Sequence, residues 1–564
     1  MLWGWFVMAC AWGTSGRGSA PRGEWPLHAA LAVLCIASLV PWLFAALPSS
    51  LALSTFFSLL AAMVLVAAGA SAARSTAAAP LFVLFCLGWV VAGVLNVGVS
   101  VIQVFAPDWP DGDWIAHSGI PGRAVGNLRQ PNHLSSLLLW SCVAIIGLLE
   151  TRRLQRAAAW LLMAMMVFAL VLSASRTGLL SVLLLAFWGL VDRRLSRQTR
   201  VLLLASPLMY WLAWQGMSMW AELGQHRFGG AARLAETDVS GSRFGIWANT
   251  LALIRAQPWL GVGFGEFNFA WSLTAFPGRP TAFFDHAHNL PLQLAVEIGL
   301  PLTALVLGLF LYALWLPWRA ASRMADEASA ALRCTLLMVV MIGLHSLLEY
   351  PLWYAHFLLP TAWAWGYALA LGALAQQGAP SALSDKLKVP PLPQAAPGLM
   401  MAAALLVIGG ALAVLDYSRV AVIFSSSEDA APLAQRIAAG QRSVLFSHHA
   451  DYAAATLDEA EPGEAAPDAP RAAPPSLAPF RGAVHYLLDT RLMMAWARAL
   501  AANGRDDQAS AIAARLREFH NEVSDGFLAV CGSASQPAPQ ALTQTTPFQC
   551  RKPAREIGWR EFTR

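Results

Sequence analysis

The sequence predicts an all-α polytopic membrane protein of about eleven transmembrane helices, with one large loop and a C-terminal α-helical domain. Three observations predict this fold. Hydrophobic residues make up 57% of the 564-residue chain and charged residues 13%, about half the charged fraction usual in soluble proteins. Runs of roughly 20 apolar residues, long enough to cross a bilayer, recur along the chain. Basic residues collect in alternate connections between these runs.

The predicted spans have soft boundaries and divide the chain into five parts. They cover residues 27–47, 51–70, 80–105, 133–149, 157–173, 176–191, 201–219, 288–316, 333–348, 351–374 and 397–415. The parts are an N-terminal segment (1–26), transmembrane helices 1–7 (27–219), a loop (220–287), transmembrane helices 8–11 (288–415) and a C-terminal domain (416–564). The apolar start does not match a secretory signal, because its arginines follow the apolar residues instead of preceding them.

The basic residues predict which side of the membrane each connection occupies. Arginine and lysine in short connections favour the cytoplasm. Those that fall on one face are Arg17, Arg22, Arg74, Arg152, Arg153, Arg156, Arg193, Arg194, Arg197, Arg200, Arg319, Arg323, Arg333, Lys386 and Lys388. This face is predicted to be cytoplasmic. The loop 220–287 and everything after residue 415 are then extracytoplasmic.

The segment after the last span has the composition of a soluble domain. Residues 456–479 are rich in Ala, Pro, Asp and Glu, which is typical of a flexible linker. Residues 483–520 predict two amphipathic helices around a turn at Asn503 and Gly504, similar to one tetratricopeptide-like hairpin. Cys531 and Cys550 could form a disulfide in an oxidising compartment, and the sequence leaves their pairing open.

Other features argue against several classes of function. The remaining five cysteines lie in or beside apolar runs without metal-ligand spacing, so we expect them to be core residues. No long Lys/Arg tract with interleaved aromatic residues exists, so no nucleic-acid partner is predicted. The glycine-rich segment 261–267 has no preceding strand and no following Lys-Ser/Thr, which argues against a nucleotide-binding loop.

Polar side chains at one end of the predicted spans form the candidate site, because such groups are costly beside lipid unless they contact water, a partner or a substrate. The first group, before the fourth span, comprises Arg123, Arg129, Gln130, Asn132 and His133. Pro131 favours a helix start, where free N–H groups attract an anion. We predict a glycan or phosphate contact here, with a capped helix start as the alternative.

Two arginines are candidate phosphate ligands on the same face. Arg176 lies in SASRTG between two spans, and Arg243 begins the predicted interfacial helix SRFGIW. A guanidinium group can bind phosphate through two parallel N–H groups. For Arg176, the alternative is a side chain that only reaches towards the lipid headgroups.

Two later motifs contribute histidines and tyrosines. His286 and His288 lie in DHAHN, and a histidine there could accept a proton from an attacking hydroxyl at neutral pH. A zinc site is the alternative, although HxH lacks a third ligand nearby. Glu349, Tyr350 and Tyr354 lie at a tight corner in EYPLWY, where interfacial anchoring is the alternative for the tyrosines.

Taken together, these residues resemble the bacterial O-antigen ligase and polymerase superfamily. Within it they are most similar to the protein O-oligosaccharyltransferases, also called pilin glycosylation ligases. The resemblance covers residues 27–415 and is most specific at RQPNHL, SASRTG, SRFGIW with QPWLGVGFGEF, DHAHN and EYPLWY. Members of this branch commonly carry a soluble extension similar to residues 416–564.

The resemblance implies an inverting, metal-independent glycosyltransferase of the bacterial inner membrane, with its active site and C-terminus in the periplasm. The donor would be an oligosaccharide on undecaprenyl pyrophosphate, the acceptor a Ser or Thr of a protein such as a pilin, and no cofactor would be needed. His288 would be the base, with His286 as its neighbour or substitute. Arg176 and Arg243 would hold the pyrophosphate. The residues implied to bind and position substrates are Arg123, Arg129, Gln130, Asn132, His133, Asn289, Tyr350 and Tyr354.

Three other functions remain open from the sequence. An O-antigen ligase acting on lipid A-core would share the donor and the catalytic residues and differ in its acceptor, and an O-antigen-type polymerase would extend the glycan itself. A transporter or flippase would need polar groups near the middle of the bilayer in two internal repeats, whereas here they collect at one face. Glycan analysis of pilin and of lipopolysaccharide in a deletion strain would separate a protein acceptor from lipid A-core.

Overall fold

The computed structural model of the protein describes residues 2–12, 23–230, 239–280, 283–322, 324, 327–376, 396–425, 430–457, 475–533 and 546–562. Within these ranges the regular elements are helices. They are α1 (Leu2–Trp12), α2 (Trp25–Phe44), α3 (Ser49–Arg74), α4 (Ala78–Phe105), α5 (Pro131–Glu150), α6 (Arg156–Ser173), α7 (Arg176–Val191), α8 (Arg197–Gly224), α9 (Val239–Ala256), α10 (Phe267–Leu273), α11 (Leu290–Ala321), α12 (Glu327–His345), α13 (Ala355–Gln376), α14 (Pro397–Ala421), α15 (Leu433–Gly440), α16 (Ser447–Ala455), α17 (Phe480–Tyr486), α18 (Thr490–Ala502), α19 (Asp506–Phe519), α20 (Glu522–Leu528) and α21 (Val530–Ser533). The central part of the predicted linker (458–474) and the basic residues Arg17, Arg22, Arg323, Lys386 and Lys388 lie outside the described residues.

Nine helices in the described part of the chain are long and apolar enough to cross a membrane. They coincide with predicted spans one to five and eight to eleven, so the prediction of a polytopic helical membrane protein is confirmed. The sixth predicted span corresponds to α7, an apolar helix of only 16 residues. The seventh corresponds to α8, which has 28 residues but includes Trp211, Trp214 and Gln215 and is less apolar than the nine. The total of eleven spans stays a prediction.

The first helix of the chain packs against the membrane helices. Val7 and Cys10 of α1 are fully buried, and the Phe6 ring lies 5.3 Å from that of Trp363 in α13. A Cβ on Gly4 would contact Val407 of α14. Residues Leu2–Trp12, part of the predicted N-terminal segment, are therefore helical and join the bundle.

Charged residues collect at the end of the bundle where α3, α5, α7 and α11 finish. Arg74 Nη1 and Nη2 donate to the two carboxylate oxygens of Glu24, at 3.1 and 2.6 Å. Arg333 of α12 pairs with Asp192, which follows α7, at 3.0 Å. Because consecutive helices run in opposite directions, this basic end lies opposite the end where the polar motifs of the candidate site begin α5, α7 and α11.

Helices α3 and α13 cross at a contact that requires glycine on both sides. A Cβ on Gly69 would lie 2.1 Å from the carbonyl oxygen of Trp363, and a Cβ on Gly366 would lie 2.1 Å from that of Val66. Both distances are far below a van der Waals contact. Small residues at such interfaces let two membrane helices pack backbone against backbone.

We therefore expect Gly69→Ala to destabilise the folded protein by about 1–3 kcal/mol, because the two helices must separate to admit a methyl group. Thermal unfolding of the detergent-solubilised protein measures this. Gly88→Ala in α4 is the matched control, because nothing lies within 4 Å of a Cβ at Gly88. A transition temperature that falls equally in both variants would contradict the tight crossing.

The glycine-rich segment 261–267 packs against a break in α11. The break is at Gly299, whose φ of 77° interrupts the helical hydrogen-bonding pattern. The freed carbonyls of Val296 and Glu297 accept hydrogen bonds from the backbone N–H groups of Val262 and Gly263, at 2.8 and 3.0 Å. This segment therefore fixes the loop to the membrane bundle.

The C-terminal domain, residues 416–564, is called the tail below. Its helices α18 and α19 form an antiparallel hairpin that turns at Asn503 and Gly504, so the two predicted amphipathic helices are confirmed. The assignment of this hairpin to tetratricopeptide-like repeats stays a prediction. Cys531 and Cys550 form a disulfide bond, a pairing that the sequence left undecided.

The tail and the loop share one hydrophobic core, to which Ala295 and Val296 of α11 also contribute. Arg279 of the loop pairs with Glu518 of α19 at 3.1 Å and donates to the Trp271 carbonyl at 3.0 Å. Its guanidinium lies 4.7 Å from the Trp271 ring and 4.6 Å from the Phe519 ring. Buried aromatic rings of both segments surround this arginine, so the loop and the tail form one packed unit.

Candidate active site

The polar motifs of the sequence meet at the end of the bundle opposite the basic end. Asn132 lies in the first turn of α5, Arg243 in α9, and His288 just before α11. All three contact one carboxylate, that of Glu349, which lies between α12 and α13. Three segments that are distant in sequence are therefore held together by a single acidic side chain.

Glu349 uses both carboxylate oxygens. Oε1 accepts from Arg243 Nη2 at 2.7 Å and from Asn132 Nδ2 at 3.0 Å, and Oε2 lies 2.9 Å from His288 Nδ1. Its side chain is only 8% exposed. Burial raises the pKa of Glu349, but the hydrogen bond from His288 and the charges of His288 and Arg243 lower it more, so the net pKa lies below the ordinary 4.5. The carboxylate is therefore ionised at neutral pH.

The ionised carboxylate sets the role of each ring nitrogen of His288. A carboxylate only accepts hydrogen bonds, so Nδ1 carries the proton that it donates to Glu349. In the neutral form of the imidazole, Nε2 then has a free lone pair and can accept a proton from another group. His288 has a φ of 51°, and the flanking Asn289 side chain caps α11 and donates to the Leu347 carbonyl. These contacts fix the imidazole in its orientation.

Asn132 joins this centre to the segment that carries Arg176. Its Oδ1 accepts from Ser175 Oγ at 2.7 Å and from Thr177 Oγ1 at 3.1 Å. Arg176 lies between these two residues, is exposed, and begins α7. Arg176, Arg243 and His288 therefore lie at the same end of the bundle.

Aromatic rings cover one side of His288. His286 stacks on Tyr350 with ring centroids 4.2 Å apart and pairs with Asp285 at 3.2 Å. Tyr350 also lies 5.0 Å from the His288 ring and 6.1 Å from that of Tyr354. Burial raises the pKa of Tyr350, with the charge of Asp285 as the next contribution, so its phenol stays protonated. These rings, with Trp353, are called the aromatic corner.

The other predicted site residues have structural contacts near this centre. Gln130 caps α5 by accepting from the His133 backbone N–H at 2.6 Å, which matches the alternative of a capped helix start. His133 is buried, with its ring 4.6 Å from that of Tyr354. Arg123 donates to the Ser173 carbonyl, and Arg129 to the Gly112 carbonyl. A substrate contact by any of these four residues stays a prediction.

Several residues that complete the site have no role predicted from the sequence. The sequence places Glu349 only at a tight corner, yet it is the acceptor for Arg243, Asn132 and His288. Its signal was available, because it is the only acidic residue in LLEYPLWY. Ser175 and Thr177 had no comparable signal, because hydroxyl residues are common beside membrane helices.

The arrangement differs from a metal centre. Among the residues that the structure describes, no group of three or more His, Cys, Asp or Glu side chains could hold a metal ion. His286 and His288 contact different acids, Asp285 and Glu349. Two guanidinium groups, one oriented imidazole and one carboxylate can together bind an anion and accept a proton from a hydroxyl.

Three family models match the chain. The O-antigen ligase model matches residues 161–307, the model for the C-terminal part of virulence factor membrane-bound polymerases matches 334–525, and the protein glycosylation ligase model matches 124–146. The resemblance to the O-antigen ligase superfamily is confirmed. The O-antigen ligase region contains Arg176, Arg243 and His288, and the other two regions contain Glu349 and Asn132.

Two curated relatives of this superfamily come from Acinetobacter baylyi. A general O-oligosaccharyltransferase is 29% identical over 251 residues, which are 43% of this chain and 43% of the relative. A ComP-specific O-oligosaccharyltransferase is 26% identical over 278 residues, which are 48% of this chain and 47% of the relative. The chain therefore matches less than half the length of each relative.

Proposed function

We propose that the protein is an O-linked oligosaccharyltransferase that moves a glycan en bloc from undecaprenyl pyrophosphate to a Ser or Thr of a periplasmic or pilin protein. The observation that carries this proposal is the carboxylate of Glu349, which contacts both Arg243 and His288. It holds a phosphate-binding cation beside a general base, as a displacement of pyrophosphate requires. Two relatives are named O-oligosaccharyltransferases, which supports the transfer of an oligosaccharide to an oxygen atom.

The reaction is a single displacement at the anomeric carbon. His288 Nε2 takes the proton of the acceptor hydroxyl, whose oxygen bonds to the anomeric carbon as the bond to the pyrophosphate oxygen breaks. The electron pair of that bond leaves with the pyrophosphate, where Arg243 and Arg176 stabilise the added charge. Glu349 stabilises the imidazolium that forms. One displacement inverts the configuration, and no step requires a metal or another cofactor.

An apolar cavity beside the site could hold the first isoprene units of the donor's polyprenyl chain. It has a volume of about 330 Å³ and lies between α5, α7 and α12. Thr177 and His345 line it near the site, and Trp140, Leu184 and Phe187 line it further along the helices. A lipid in this cavity would have its pyrophosphate beside Arg176. A sugar nucleotide would gain nothing from such a cavity.

We propose that the protein lies in a bacterial inner membrane and that its active site faces the periplasm. The basic end of the bundle favours the cytoplasm, so the opposite end is extracytoplasmic. The tail lies on that side with its disulfide between Cys531 and Cys550, a bond typical of oxidising compartments. The lipid-linked donor is presented in the same compartment, under this proposal.

The second candidate function is an O-antigen ligase that transfers the glycan to lipid A-core. The match of residues 161–307 to the O-antigen ligase model favours it. The protein glycosylation ligase match at 124–146, and the two relatives named O-oligosaccharyltransferases, favour a protein acceptor. A polymerase would share the donor but use a second lipid-linked glycan as the acceptor.

Reconstitution in proteoliposomes tests the proposal. With undecaprenyl-pyrophosphate-linked oligosaccharide and a pilin acceptor, mass spectrometry should find the intact glycan on Ser or Thr, at a rate that EDTA does not change. Lipid A-core is offered in a parallel reaction as the competing acceptor. Transfer to lipid A-core alone would identify an O-antigen ligase, and a loss of rate with EDTA would contradict metal independence.

A further inference from the structure

We propose that the tail supplies a glycan-binding subsite for the donor oligosaccharide. The partly exposed rings of His449 and Tyr486 form this subsite, which binds the sugars that follow the one attached to the pyrophosphate. This inference rests on the proposed function and names a part of the substrate that the tail binds. His449 lies in α16 and Tyr486 at the end of α17. These two residues are called the tail rings.

A buried amide fixes the tail to the segment that carries the catalytic histidines. Asn268 of α10 is 5% exposed; its Nδ2 donates to the Phe284 carbonyl at 3.1 Å, and its Oδ1 accepts from the Leu488 backbone N–H at 2.7 Å. Phe284 directly precedes Asp285, and Leu488 follows Tyr486 by two residues. One side chain therefore holds the segment of Tyr486 beside the segment of His286 and His288.

A second contact sets the orientation of α17. His485 Nδ1 lies 2.8 Å from Glu266 Oε2, and the two side chains are 3% and 5% exposed. The His485 ring also lies 4.5 Å from the ring of Phe269. Because the neighbouring residue His485 is held inside the loop core, Tyr486 is turned out of that core and remains partly exposed.

The tail rings pack against each other near the end of the bundle where α3 begins, which is also the end of the candidate site. The Tyr486 centroid lies 4.6 Å from His449, and buried His448 supports both rings while contacting Ser50 Oγ of α3 at 3.0 Å. Burial, then the charge of Asp285, raises the pKa of Tyr486 to about 12, and Tyr417 and Tyr354 also contribute. The Tyr486 hydroxyl is therefore protonated and can donate a hydrogen bond.

The aromatic corner offers further rings to a glycan at the same end of the bundle. In that corner, Trp353 is 40% exposed and Tyr354 is 38% exposed, which is high for large aromatic side chains. Such rings offer an apolar face and a polar tip. A sugar offers the matching chemistry, because its C–H groups can lie on a ring face while its hydroxyls bond to a phenol or an imidazole.

The donor glycan is the occupant that this location favours. The lipid cavity and the two arginines fix the carrier end of the donor, so the remaining sugars must extend away from the membrane helices. The tail packs over the loop on that side. An acceptor hydroxyl needs only to reach His288 from the face opposite the leaving group, and that approach does not require the tail rings.

Kinetics with two donors test the subsite. One polyprenyl pyrophosphate carries a single sugar, and the other carries a tetrasaccharide that begins with the same sugar. Tyr486→Ala and His449→Ala should each raise KM for the tetrasaccharide donor about three- to tenfold, as expected for the loss of one ring contact. KM for the single-sugar donor should stay unchanged. Tyr486→Phe should keep most of the affinity.

Val523→Ala is the control, because Val523 is a 60% exposed residue of α20, a different tail helix from the two that carry these rings, and its replacement should affect neither donor. Thermal unfolding of each variant checks that the tail remains folded. An increase in KM for the acceptor protein would assign the rings to the acceptor instead. Equal losses with both donors would show that the rings only support the loop, and unchanged kinetics in both alanine variants would also overturn the subsite.

Binding of the free tetrasaccharide, measured by saturation-transfer NMR on the full-length protein, separates this inference from the proposed function. Wild type should bind the sugar and Tyr486→Ala should lose the signal. Binding without transfer by wild type would keep the subsite and remove the proposed activity. If wild type transfers both donors but wild type and Tyr486→Ala bind the free tetrasaccharide equally, the proposed activity is kept and the subsite is overturned.

Discussion

Replacing His288 with alanine should lower kcat for glycan transfer by about 10²- to 10⁴-fold, the contribution of a general base. Glu349 holds Nδ1 at 2.9 Å, so only Nε2 is available to the acceptor hydroxyl. Alanine removes that nitrogen while the two arginines remain to bind the pyrophosphate. The KM for the lipid-linked donor should therefore change little. Steady-state transfer to a pilin acceptor in proteoliposomes, at varied donor concentration, measures both quantities.

His286→Ala is the matched control for this experiment. His286 is two residues away, stacks on Tyr350 and pairs with Asp285 instead of Glu349. We expect it to retain activity within about tenfold of wild type, because it loses a packing contact and not the base. The reverse order, with His286→Ala inactive and His288→Ala active, would assign the base to His286.

Glu349→Gln should lower kcat by about 10²-fold through misplacement of the groups around it. The carboxylate accepts from Arg243, Asn132 and His288, whereas a glutamine amide has only one acceptor oxygen. If its NH₂ group faces His288, Nδ1 must accept and the proton moves to Nε2, which removes the free lone pair. Glu349→Asp keeps the charge and should retain more activity. Equal activity of Glu349→Gln and wild type would contradict the role given to this carboxylate.

The pH dependence of stability gives a second test of Glu349. Its folded-state pKa is lowered below the ordinary 4.5, so the ionised group stabilises the folded protein above that value. This stabilisation is lost as the pH falls through the lowered pKa. The difference in transition temperature between wild type and Glu349→Gln should therefore be largest at neutral pH and shrink in acid. A constant difference from pH 7 to pH 3 would contradict the ionised carboxylate.

The membrane helices could be predicted because a bilayer imposes their length and composition on each segment separately. The two ambiguous spans are those where this rule is weakest, since α7 is short and α8 contains polar and indole side chains. The hairpin of α18 and α19 was also predictable, because its period and its turn are local features. Contacts between segments that are distant in sequence have no such local signal.

The candidate site shows this limit clearly. Arg243 and Glu349 are 106 residues apart, and Asn132 and Glu349 are 217 apart, so no spacing rule joins them. The motifs identified the arginines and histidines as polar groups that lipid does not explain. Their common partner, Glu349, became clear only from the packing, whereas His288 was already the predicted base and its role stays a prediction. The contact of the tail with the loop was missed for the same reason.

The shared core of loop and tail also has a consequence for synthesis. Asn268 and its partner Leu488 are separated by 220 residues, which a ribosome adds in roughly 10–40 s. During that interval the aromatic residues in the loop's half of the core lack their partners from the tail. We therefore expect the newly made chain to be vulnerable to proteases until the tail has been added. A premature stop before residue 480 should leave a chain that quality control removes.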